Sequence, residues 1–367
     1  MSKVLLLTLE YPPFFGGVAN YYANLVKYWP EPQNIYVLDN QNNKLLNPTL
    51  PLLKWLPAFW QLRQVIGEQK INYLLVGHLL PLGTVAFFFL IFKKLSYTVF
   101  LHGLDFSQAM KIKRKKWLAK KILLRADKII CANSYTADLV KNFLPVTSQN
   151  KIQVVNPGLE TEVKVKADLT AHLKKHYQLE NKIILLSIGR LIKRKGFDRV
   201  VAALPTVLKQ IANLIYIIVG NGPELDNLKL KIRNSNLDEK VILITGADDD
   251  EKNAWLQLAD IFIMTARNMA GDFEGFGIVY LEAGRAGKPV IAGDSGGVRD
   301  AVIDKVNGLL VNPENLSAIS QAITKLASQP KLRQSLGQNG RERALNQFNC
   351  TNQAKKTYQL INKSNLQ

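Results

Sequence analysis

The sequence contains few cysteines and few acidic residues for its length. Only Cys131 and Cys350 occur among 367 residues, and two thiols are too few for a disulfide scaffold. We therefore expect both to be reduced thiols in a cytosolic protein. Lysine and arginine number 48 against 29 aspartates and glutamates, which gives a formal net charge of +19. This excess predicts a negatively charged partner or surface.

No apolar run is both long and continuous enough to predict a membrane span. The longest uncharged stretch, residues 71–92, has the length of a span, but two glycines, a histidine and a proline interrupt it. A buried strand at 73–76, a turn and a buried helix at about 84–92 explain the stretch better. The chain opens with a short strand pattern rather than a signal peptide. We therefore expect a cytoplasmic protein.

Nearly half of the positive excess lies in one segment. Between Lys111 and Lys128, nine lysines or arginines accompany a single acid, Asp127, so the segment carries a net charge of +8. A charge concentrated in this way indicates one docking face, whereas a nucleic-acid-binding protein would spread its cations more widely.

A helical projection of residues 113–130 separates apolar from charged positions. One arc holds Leu118, Ala119, Ile122, Leu123, Ala126, Ile129 and Ile130, and the other holds Lys113, Arg114, Lys120, Lys121, Arg125 and Lys128 together with Trp117 and Leu124. The mixed arc has the composition of a helix that lies on an anionic membrane surface. A solvated helix, or one that contacts the acceptor substrate, is the alternative interpretation.

Short apolar runs alternate with helical patterns along the whole chain. Strands are predicted at residues 4–7, 35–38, 73–76, 97–101, 129–132 and 152–155, and then at 183–188, 214–219, 241–244, 261–264, 290–292 and 308–311. A turn and a helical stretch follow each strand, as in βαβ units of a parallel sheet that is buried on both faces. We predict an α/β fold with two Rossmann-like doubly wound domains that face each other across a ligand cleft.

The boundary between the two domains is expected after the turn Asn156-Pro157-Gly158. The predicted domains are an N-terminal domain at 1–165 and a C-terminal domain at 166–346. A helical tail, 347–367, follows, and its sequence allows a return to the N-terminal domain.

Three loops that follow predicted strands carry glycine beside a polar or cationic residue. Gly16 and Gly17 precede a helix whose first N–H groups can face an anion, although a glycine pair is also typical of a tight turn. His102 can bond a substrate hydroxyl, although a lone histidine is more often structural. Arg190 and Lys195 bracket a loop that begins at Gly189, and two cations placed this way suit a diphosphate.

Two further loops complete the predicted site. Gly220 and Asn221 begin a partial dinucleotide fingerprint that lacks its third glycine and its downstream acid, so it does not predict a dehydrogenase. Glu274 and Glu282 stand eight positions apart around Phe276 and Gly277, where a helix begins. The helix start favours a phosphate, and the two carboxylates can accept hydrogen bonds from sugar and ribose hydroxyls.

Two other patterns are interpreted as structural. His172 and His176 have metal-ligand spacing on a helix, but the neighbouring lysines and the missing glutamate favour a surface helix. The acidic run 248–251 precedes a helical pattern and is interpreted as a helix cap rather than a cation site.

Taken together, these residues resemble glycosyltransferase family 4, the retaining enzymes of GT-B architecture. The resemblance covers nearly the whole chain in order: Gly16-Gly17, His102-Gly103, Asn156-Pro157-Gly158, Gly189-Arg190 with Lys195-Gly196, Gly220-Asn221-Gly222-Pro223, and Glu274 with Glu282 as the E-x7-E motif. The stretch 274–297 is similar to that of bacterial phosphatidylinositol mannosyltransferases and related lipid or lipopolysaccharide glycosyltransferases.

The resemblance implies that the domain at 1–165 binds the acceptor and that the domain at 166–346 binds the nucleotide sugar. It also implies a role for each site residue. Arg190 and Lys195 would bind the donor diphosphate, and Glu282 would hold the ribose. Glu274 would contact the sugar with the N–H groups of Phe276 and Gly277. Two residues of the other domain would complete the site, with Gly17 close to the phosphate and His102 beside the sugar. The resemblance implies no cofactor and no metal, and no Asp-x-Asp motif directly follows a strand.

These features predict a retaining hexosyltransferase that uses a UDP- or GDP-linked sugar. The expected acceptor is a lipid or a lipid-linked saccharide, and the expected location is the inner face of the cell membrane, reached through Lys111–Lys128. A soluble small-molecule glycosyltransferase or an epimerase of the same architecture is the alternative. A nucleic-acid-binding protein ranks below both, because it would leave the phosphate loops without a purpose.

Overall fold

The computed structural model describes residues 3–14, 16–47, 53–92 and 95–362. The chain divides into two compact units. Unit 1 contains the residues up to Gly158 together with those from Cys350 onward, and unit 2 runs from Leu159 to Asn349. The division falls directly after the turn Asn156-Pro157-Gly158, where the break was expected. It assigns residues 159–165 to unit 2 rather than to the first predicted domain, and the Leu159 N–H bonds the carbonyl of Phe348 in unit 2 at 2.6 Å.

The sheet of unit 1 consists of parallel strands, each four to six residues long except for the last, which has three. These strands are β1 (Val4–Leu7), β2 (Ile35–Leu38), β3 (Tyr73–Val76), β4 (Ser96–Leu101), β5 (Lys128–Cys131) and β6 (Ile152–Val154). Their spatial order is β2-β1-β3-β4-β5-β6. The order reverses between β1 and β3, because the chain leaves these two neighbours toward opposite edges of the sheet.

The sheet of unit 2 is built in the same way. Its strands are β7 (Ile183–Ile188), β8 (Leu214–Val219), β9 (Val241–Ile244), β10 (Ile261–Met264), β11 (Val290–Gly293) and β12 (Gly308–Val311). Their order is β12-β11-β10-β7-β8-β9, with all described pairings parallel. The reversal here falls between β7 and β10, and ligands of open α/β sheets bind at such points.

Helices follow nearly every strand. Unit 1 contains α1 (Gly17–Lys27), α2 (Leu56–Gln69), α3 (Leu82–Phe92), α4 (Leu104–Met110), α5 (Lys113–Arg125), α6 (Ser134–Phe143) and, after the whole of unit 2, α15 (Cys350–Asn362). Unit 2 contains α7 (Ala167–His176), α8 (Phe197–Leu208), α9 (Leu225–Asn234), α10 (Asp249–Leu258), α11 (Ile278–Arg285), α12 (Val298–Ala301), α13 (Leu316–Ser328) and α14 (Pro330–Gln347).

Both sheets bury apolar side chains on their two faces. Along β1, Leu5 and Leu7 pack into one core cluster and Val4 and Leu6 into another. Full burial of one such side chain contributes about 1.5–3 kcal/mol, so continuous apolar strands are stable only between two helix layers. The predicted α/β class with two doubly wound sheets is confirmed, as are all twelve predicted strands, with one-residue differences at the ends of four.

The C-terminal helix α15 packs on α1 within unit 1. The Tyr358 hydroxyl donates to Glu31 Oε1 at 2.5 Å, and its ring lies edge-on to Trp29 with the centroids 5.5 Å apart. A side chain at Gly158 would come within 2.7 Å of the Cα of Cys350, so the glycine permits this close approach. The tail therefore belongs to unit 1 from Cys350, three residues later than predicted, and residues 363–367 lie outside the described residues.

The uncharged stretch at 71–92 forms β3 and α3, as predicted. Within the described ranges, no helix combines the length and the apolar character needed to cross a bilayer. The helical projection of residues 113–130 was wrong at its end, because α5 stops at Arg125, and Ile129 and Ile130 belong to β5. Buried strand residues of this kind fit a helical arc by chance when the run is short.

Candidate active site

Three charged side chains of unit 2 meet where the loops after β7 and β10 adjoin. Lys195 Nζ lies 2.9 Å and Arg194 Nη1 2.7 Å from the same oxygen, Oε2 of Glu274. Only 9% of the Glu274 side chain is exposed. Burial alone would raise the pKa of Glu274, but the charges of Lys195 and Arg194 outweigh it and lower that pKa. Glu274 is therefore ionised and holds two cations at the reversal point of the sheet.

A second acid extends this cluster. Arg194 Nε lies 3.0 Å from Oδ1 of Asp272, two residues before Glu274. Arg190, in the same loop as Arg194, is exposed and has no side-chain partner among the described residues. It is therefore available to an anion from solvent, whereas Arg194 and Lys195 are already positioned by carboxylates.

Two glycines allow this geometry. Gly196 ends the loop after β7 with φ = 78°, and a Cβ there would lie 2.1 Å from the carbonyl oxygen of Thr265. Gly277 precedes α11 with φ = 75°, and a Cβ there would lie 2.5 Å from the ring of Tyr280. Both positions require a left-handed backbone and close packing, so only glycine fits.

The predicted helix start is confirmed as α11, which begins at Ile278 immediately after Gly277. The first N–H groups of a helix have no partner within the helix, and they carry the positive end of its dipole. Phe276 is 5% exposed and packs in the apolar core against Phe348. Its ring therefore stabilises the fold, and only its backbone is available to a ligand.

Glu282 occupies the second turn of α11 and is already paired. Its Oε1 lies 3.2 Å from Lys252 Nζ on α10, and Lys252 also contacts Asp249 at 2.9 Å. Burial alone would lower the pKa of Lys252, but the charge of Glu282 leads the effects that raise it. The ammonium group therefore stays charged and orients one oxygen of Glu282, which leaves the other for a polyol.

Gly189, Gly220 and Asn221 hold the loops after β7 and β8 together. A Cβ at Gly220 would lie 2.0 Å from the carbonyl oxygen of Gly189. The carbonyl of Asn221 accepts the Leu191 N–H at 2.8 Å, and its side-chain oxygen accepts the Gly222 N–H at 2.7 Å. These contacts place the loop of Arg190 at the carboxyl edge of the sheet.

In unit 1, the glycine pair lies at the start of α1. Gly16 is the N-cap and Gly17 the first helical residue, and no atom lies within 4 Å of a Cβ placed on Gly17. The helix start is therefore open to a ligand. Gly16 and Gly17 belong to unit 1, and the cationic loops belong to unit 2.

His102 follows β4 and bonds a tyrosine of α1. Its Nε2 lies 2.8 Å from the Tyr22 hydroxyl, and that hydroxyl donates its one proton to the carbonyl of Gly77 at 2.6 Å. Because a carbonyl supplies no proton, Nε2 of His102 must carry the hydrogen between the two side chains. Nδ1 of His102 is then a lone-pair acceptor, as a contact to a sugar hydroxyl requires.

The imidazole of His102 is neutral at physiological pH. Removal of the ring from water, together with the nearby His78, lowers the pKa of His102 to about 3. Burial also keeps the pKa of Tyr22 well above 10, so the hydroxyl retains its proton. Asp105 fixes the backbone on the other side, since its Oδ1 accepts the N–H groups of His102 and Gly103 at 3.1 and 3.0 Å.

Replacing Tyr22 by phenylalanine should free the ring of His102 and lower the sugar transfer that the family resemblance implies about fivefold, because one neutral hydrogen bond contributes about 1 kcal/mol. NMR of nitrogen-labelled histidine should find hydrogen on Nε2 in the wild type, with no titration between pH 5 and 8. Tyr21→Phe is the matched control, because Tyr21 packs edge-on to His102 at 5.2 Å without a hydrogen bond to it. A hydrogen on Nδ1 in the wild type would contradict the assignment.

The two patterns interpreted as structural agree with the structure. His172 and His176 are exposed on α7, and their rings stack 5.8 Å apart. Asp248 caps α10 through a hydrogen bond from the Glu251 N–H at 2.8 Å. Over the described part of the chain, no three His, Cys, Asp or Glu side chains are grouped closely enough to hold a metal ion.

Three residues of these sites were not selected from the sequence. Arg194 stands among three consecutive basic residues, which the sequence alone does not rank. Lys252 is 30 positions from Glu282, and Tyr22 is 80 positions from His102. The periodicity of α1 gave a signal for Tyr22, since it places this side chain on the buried face of the helix.

Comparison with known proteins agrees with this geometry. The family model described as "Glycosyltransferase Family 4" matches residues 15–163, and that described as "Glycosyl transferases group 1" matches residues 170–343. The GDP-mannose-dependent alpha-(1-6)-phosphatidylinositol monomannoside mannosyltransferase of Mycobacterium tuberculosis is 28% identical over 364 residues, which cover 93% of each chain.

Two solved structures have a similar fold at low sequence identity. The sucrose-phosphate synthase of Thermosynechococcus elongatus superposes with a TM-score of 0.82 at 20% identity and covers 99% of each chain. HepE of Anabaena in complex with UDP has a TM-score of 0.80 at 17% identity and covers 98% of this chain and 100% of its own.

The fold and the charged loops therefore define a glycosyltransferase of GT-B architecture. The two family matches together span most of the chain, and the chain belongs to glycosyltransferase family 4.

Proposed function

We propose that the protein transfers a hexose, with retention of anomeric configuration, from a UDP- or GDP-linked sugar to a lipid or lipid-linked saccharide. The observation that carries the proposal is the cluster of Arg194 and Lys195 on buried Glu274, beside the N-terminus of α11. Two relatives support the choice of substrates by their names, a phosphatidylinositol mannosyltransferase that depends on GDP-mannose and a structure that contains UDP.

In the proposed reaction, the bond between the sugar C1 and the diphosphate oxygen breaks. The acceptor oxygen then bonds C1 on the same face, and its proton passes to the departing diphosphate. Arg190, Lys195 and the start of α11 stabilise the charge that develops on the leaving group. Glu282 binds the ribose, Glu274 a sugar hydroxyl, and Nδ1 of His102 accepts from another. No protein nucleophile takes part.

The donor reaction is proposed to need no metal. Cationic side chains and a helix N-terminus can supply the positive charge that a divalent ion would otherwise bring to a diphosphate. Transfer that persists in EDTA supports this part, and activity that is lost in EDTA and restored by magnesium or manganese overturns it.

Donor binding and transfer test the proposal in sequence. A screen of UDP-, GDP- and ADP-sugars should raise the melting temperature with at least one donor, because a ligand that binds only the folded state stabilises it. Labelled sugar from that donor should then appear in a lipid extract, and NMR should find the anomeric configuration of the donor in the product. Release of an isomerised nucleotide sugar instead would identify an epimerase.

We further propose that α5, with its flanking cations between Lys111 and Lys128, holds the protein at the inner face of the cell membrane. Every Lys and Arg of α5 is exposed, and 61% of Trp117 is exposed beside them. Each cation near an anionic leaflet contributes about 1 kcal/mol to binding. Leu124, expected on this face, is half-buried and packs on the core of unit 1.

Changing Lys113, Arg114, Lys120 and Lys121 together to glutamate should release the protein from vesicles that contain phosphatidylglycerol. The matched control changes four exposed cations of unit 2, Lys174, Lys175, Lys209 and Arg233, by the same total charge. Co-sedimentation should be lost in the first variant and retained in the second. Equal sedimentation of both would reject docking by α5, and binding of both to RNA with a steep salt dependence would favour a nucleic-acid partner.

A further inference from the structure

A groove in unit 1 lies beside the basic face of α5. It has a volume of about 610 Å³, and its walls come from the segment before α2, from α3 and from the start of α5. Trp55 and Phe88 form one wall, with rings stacked 5.7 Å apart at an interplanar angle of 10°. Ile112 and Trp117 of α5 also line the groove.

The groove exposes several large apolar side chains next to one another. Exposed fractions are 61% for Trp117, 49% for Ile112, 48% for Leu53 and 37% for Phe88. Scattered apolar side chains on a surface need no explanation, but a contiguous concave patch rimmed by polar groups indicates a binding site.

The charge at the groove has one sign. Lys54, Arg114 and Lys115 are among the lining residues, and no aspartate or glutamate is. These three cations have no acidic partner among the residues that the structure describes. The groove therefore combines an apolar interior with cations that are free to bind an anion, and it is complementary to an anionic amphiphile.

We propose that this groove binds one acyl chain of an anionic phospholipid, and that Lys54, Arg114 and Lys115 bind its phosphate. The concave shape favours a single chain, because a flat bilayer surface would leave the aromatic walls out of contact. A second copy of this protein is disfavoured, since it would bring the same cations to the same place. The inference deepens the proposed membrane docking of α5 and rests on that proposed function.

When the groove binds an acyl chain, that phospholipid leaves the membrane leaflet in part. Each methylene group that enters the groove contributes about 0.8 kcal/mol, and the cations add attraction for the phosphate. Electrostatic docking of α5 alone would instead depend on the surface charge of the bilayer and would require no monomeric lipid to bind. This difference separates the two proposals experimentally.

Monomeric lysophosphatidylglycerol with a brominated acyl chain, used below its micelle concentration, is the probe. Bromine quenches tryptophan at short range, and Trp55 and Trp117 line the groove. We expect saturable quenching with one lipid per protein. The Trp55→Phe, Trp117→Phe double variant should lose this quenching while Trp60, which is 60% exposed elsewhere on α2, still fluoresces.

Two variants test the interior and the rim separately. Ile112→Glu puts a charge against the acyl chain and should weaken binding about tenfold or more. Val146→Glu is its control, at an apolar position of unit 1 that is 81% exposed outside the groove. Brominated lysophosphatidylcholine has a zwitterionic headgroup without net charge and is the comparison lipid. The double variant Arg114→Ala, Lys115→Ala should bind lysophosphatidylglycerol only as tightly as it binds lysophosphatidylcholine.

The absence of saturable quenching in the wild type would overturn the inference, as would equal quenching in Ile112→Glu and Val146→Glu. Protection from quenching by an acidic amphipathic peptide that binds more tightly than the lipid would also overturn it, in favour of a protein partner. A protein that shows donor-induced stabilisation but no quenching retains the proposed transferase function and loses only the groove. Quenching without any stabilisation by nucleotide sugars would retain the lipid groove and remove the support for the proposed transferase function.

Discussion

Replacing Lys195 by methionine is expected to lower the kcat of sugar transfer by about a hundredfold to a thousandfold, the loss typical when one group that stabilises transition-state charge is removed. Lys195 is largely buried, and Glu274 aims its ammonium group from 2.9 Å. The methionine keeps the side chain out to Cε and removes the ammonium group. The proposed diphosphate leaving group would then lose one of its positioned cations.

The measurement is turnover of labelled donor by purified protein. Lys193→Met is the matched control, because Lys193 belongs to the same loop but is exposed and has no partner among the described residues. Its turnover should remain within about threefold of the wild type. Unchanged circular dichroism in both variants shows that the fold persists. Equal turnover in Lys195→Met and Lys193→Met would remove Lys195 from the site.

Replacing Glu274 by alanine is expected to remove transfer and also to reduce the free energy of unfolding by about 3–5 kcal/mol, because removing one partner of a buried ion pair leaves uncompensated charge. Here two cations, Arg194 and Lys195, lose the same carboxylate. Urea denaturation measures the loss. Glu239→Ala, at an exposed position of unit 2, is the control and should change stability by less than about 0.5 kcal/mol.

The stability contribution of Glu274 should depend on pH with a defined sign. Lys195 and Arg194 lower the pKa of Glu274 below its ordinary value of 4.5, against the opposing effect of burial. The unfolded state therefore binds more protons as the solution becomes acidic. The difference in unfolding free energy between wild type and Glu274→Gln should be full above pH 4.5 and should shrink as pH falls through the lowered pKa. A difference that grows toward acidic pH would contradict the pairing.

The sequence predicted the sheets well, because strands buried on both faces are continuous apolar runs bounded by turn residues. It predicted the connections less well. The helical projection ran on to residue 130 and overlapped the strand predicted at 129–132, although Ala126 turns to an extended backbone and the next apolar residues form β5. The turn that ends at Gly158 indicated where the units divide, but the assignment of residues 159–165 to the first domain differs from the structure, because the pairing of Leu159 with Phe348 is contained in no local pattern.

The candidate site was predictable where chemistry is local to a loop. Lys195 and Glu274 follow glycines at strand ends, and the structure joins them in one cluster. Partners from other elements were not predictable, because only the fold brings Lys252 to Glu282 and Tyr22 to His102. The ion pairs of Glu274 and Glu282 also change the interpretation of both acids, since each positions a cation in addition to its proposed contact with the donor.

Calorimetric titration with UDP and GDP in the presence of EDTA tests the central claim most directly. The claim is that side chains and a helix N-terminus bind the diphosphate without a divalent ion, while Glu282 binds the ribose. We expect one nucleotide to bind the wild type at a single site, and we expect Arg190→Ala and Glu282→Ala each to abolish that binding. Affinities that are equal in all three proteins, or binding that appears only when a divalent cation is added, would contradict the account.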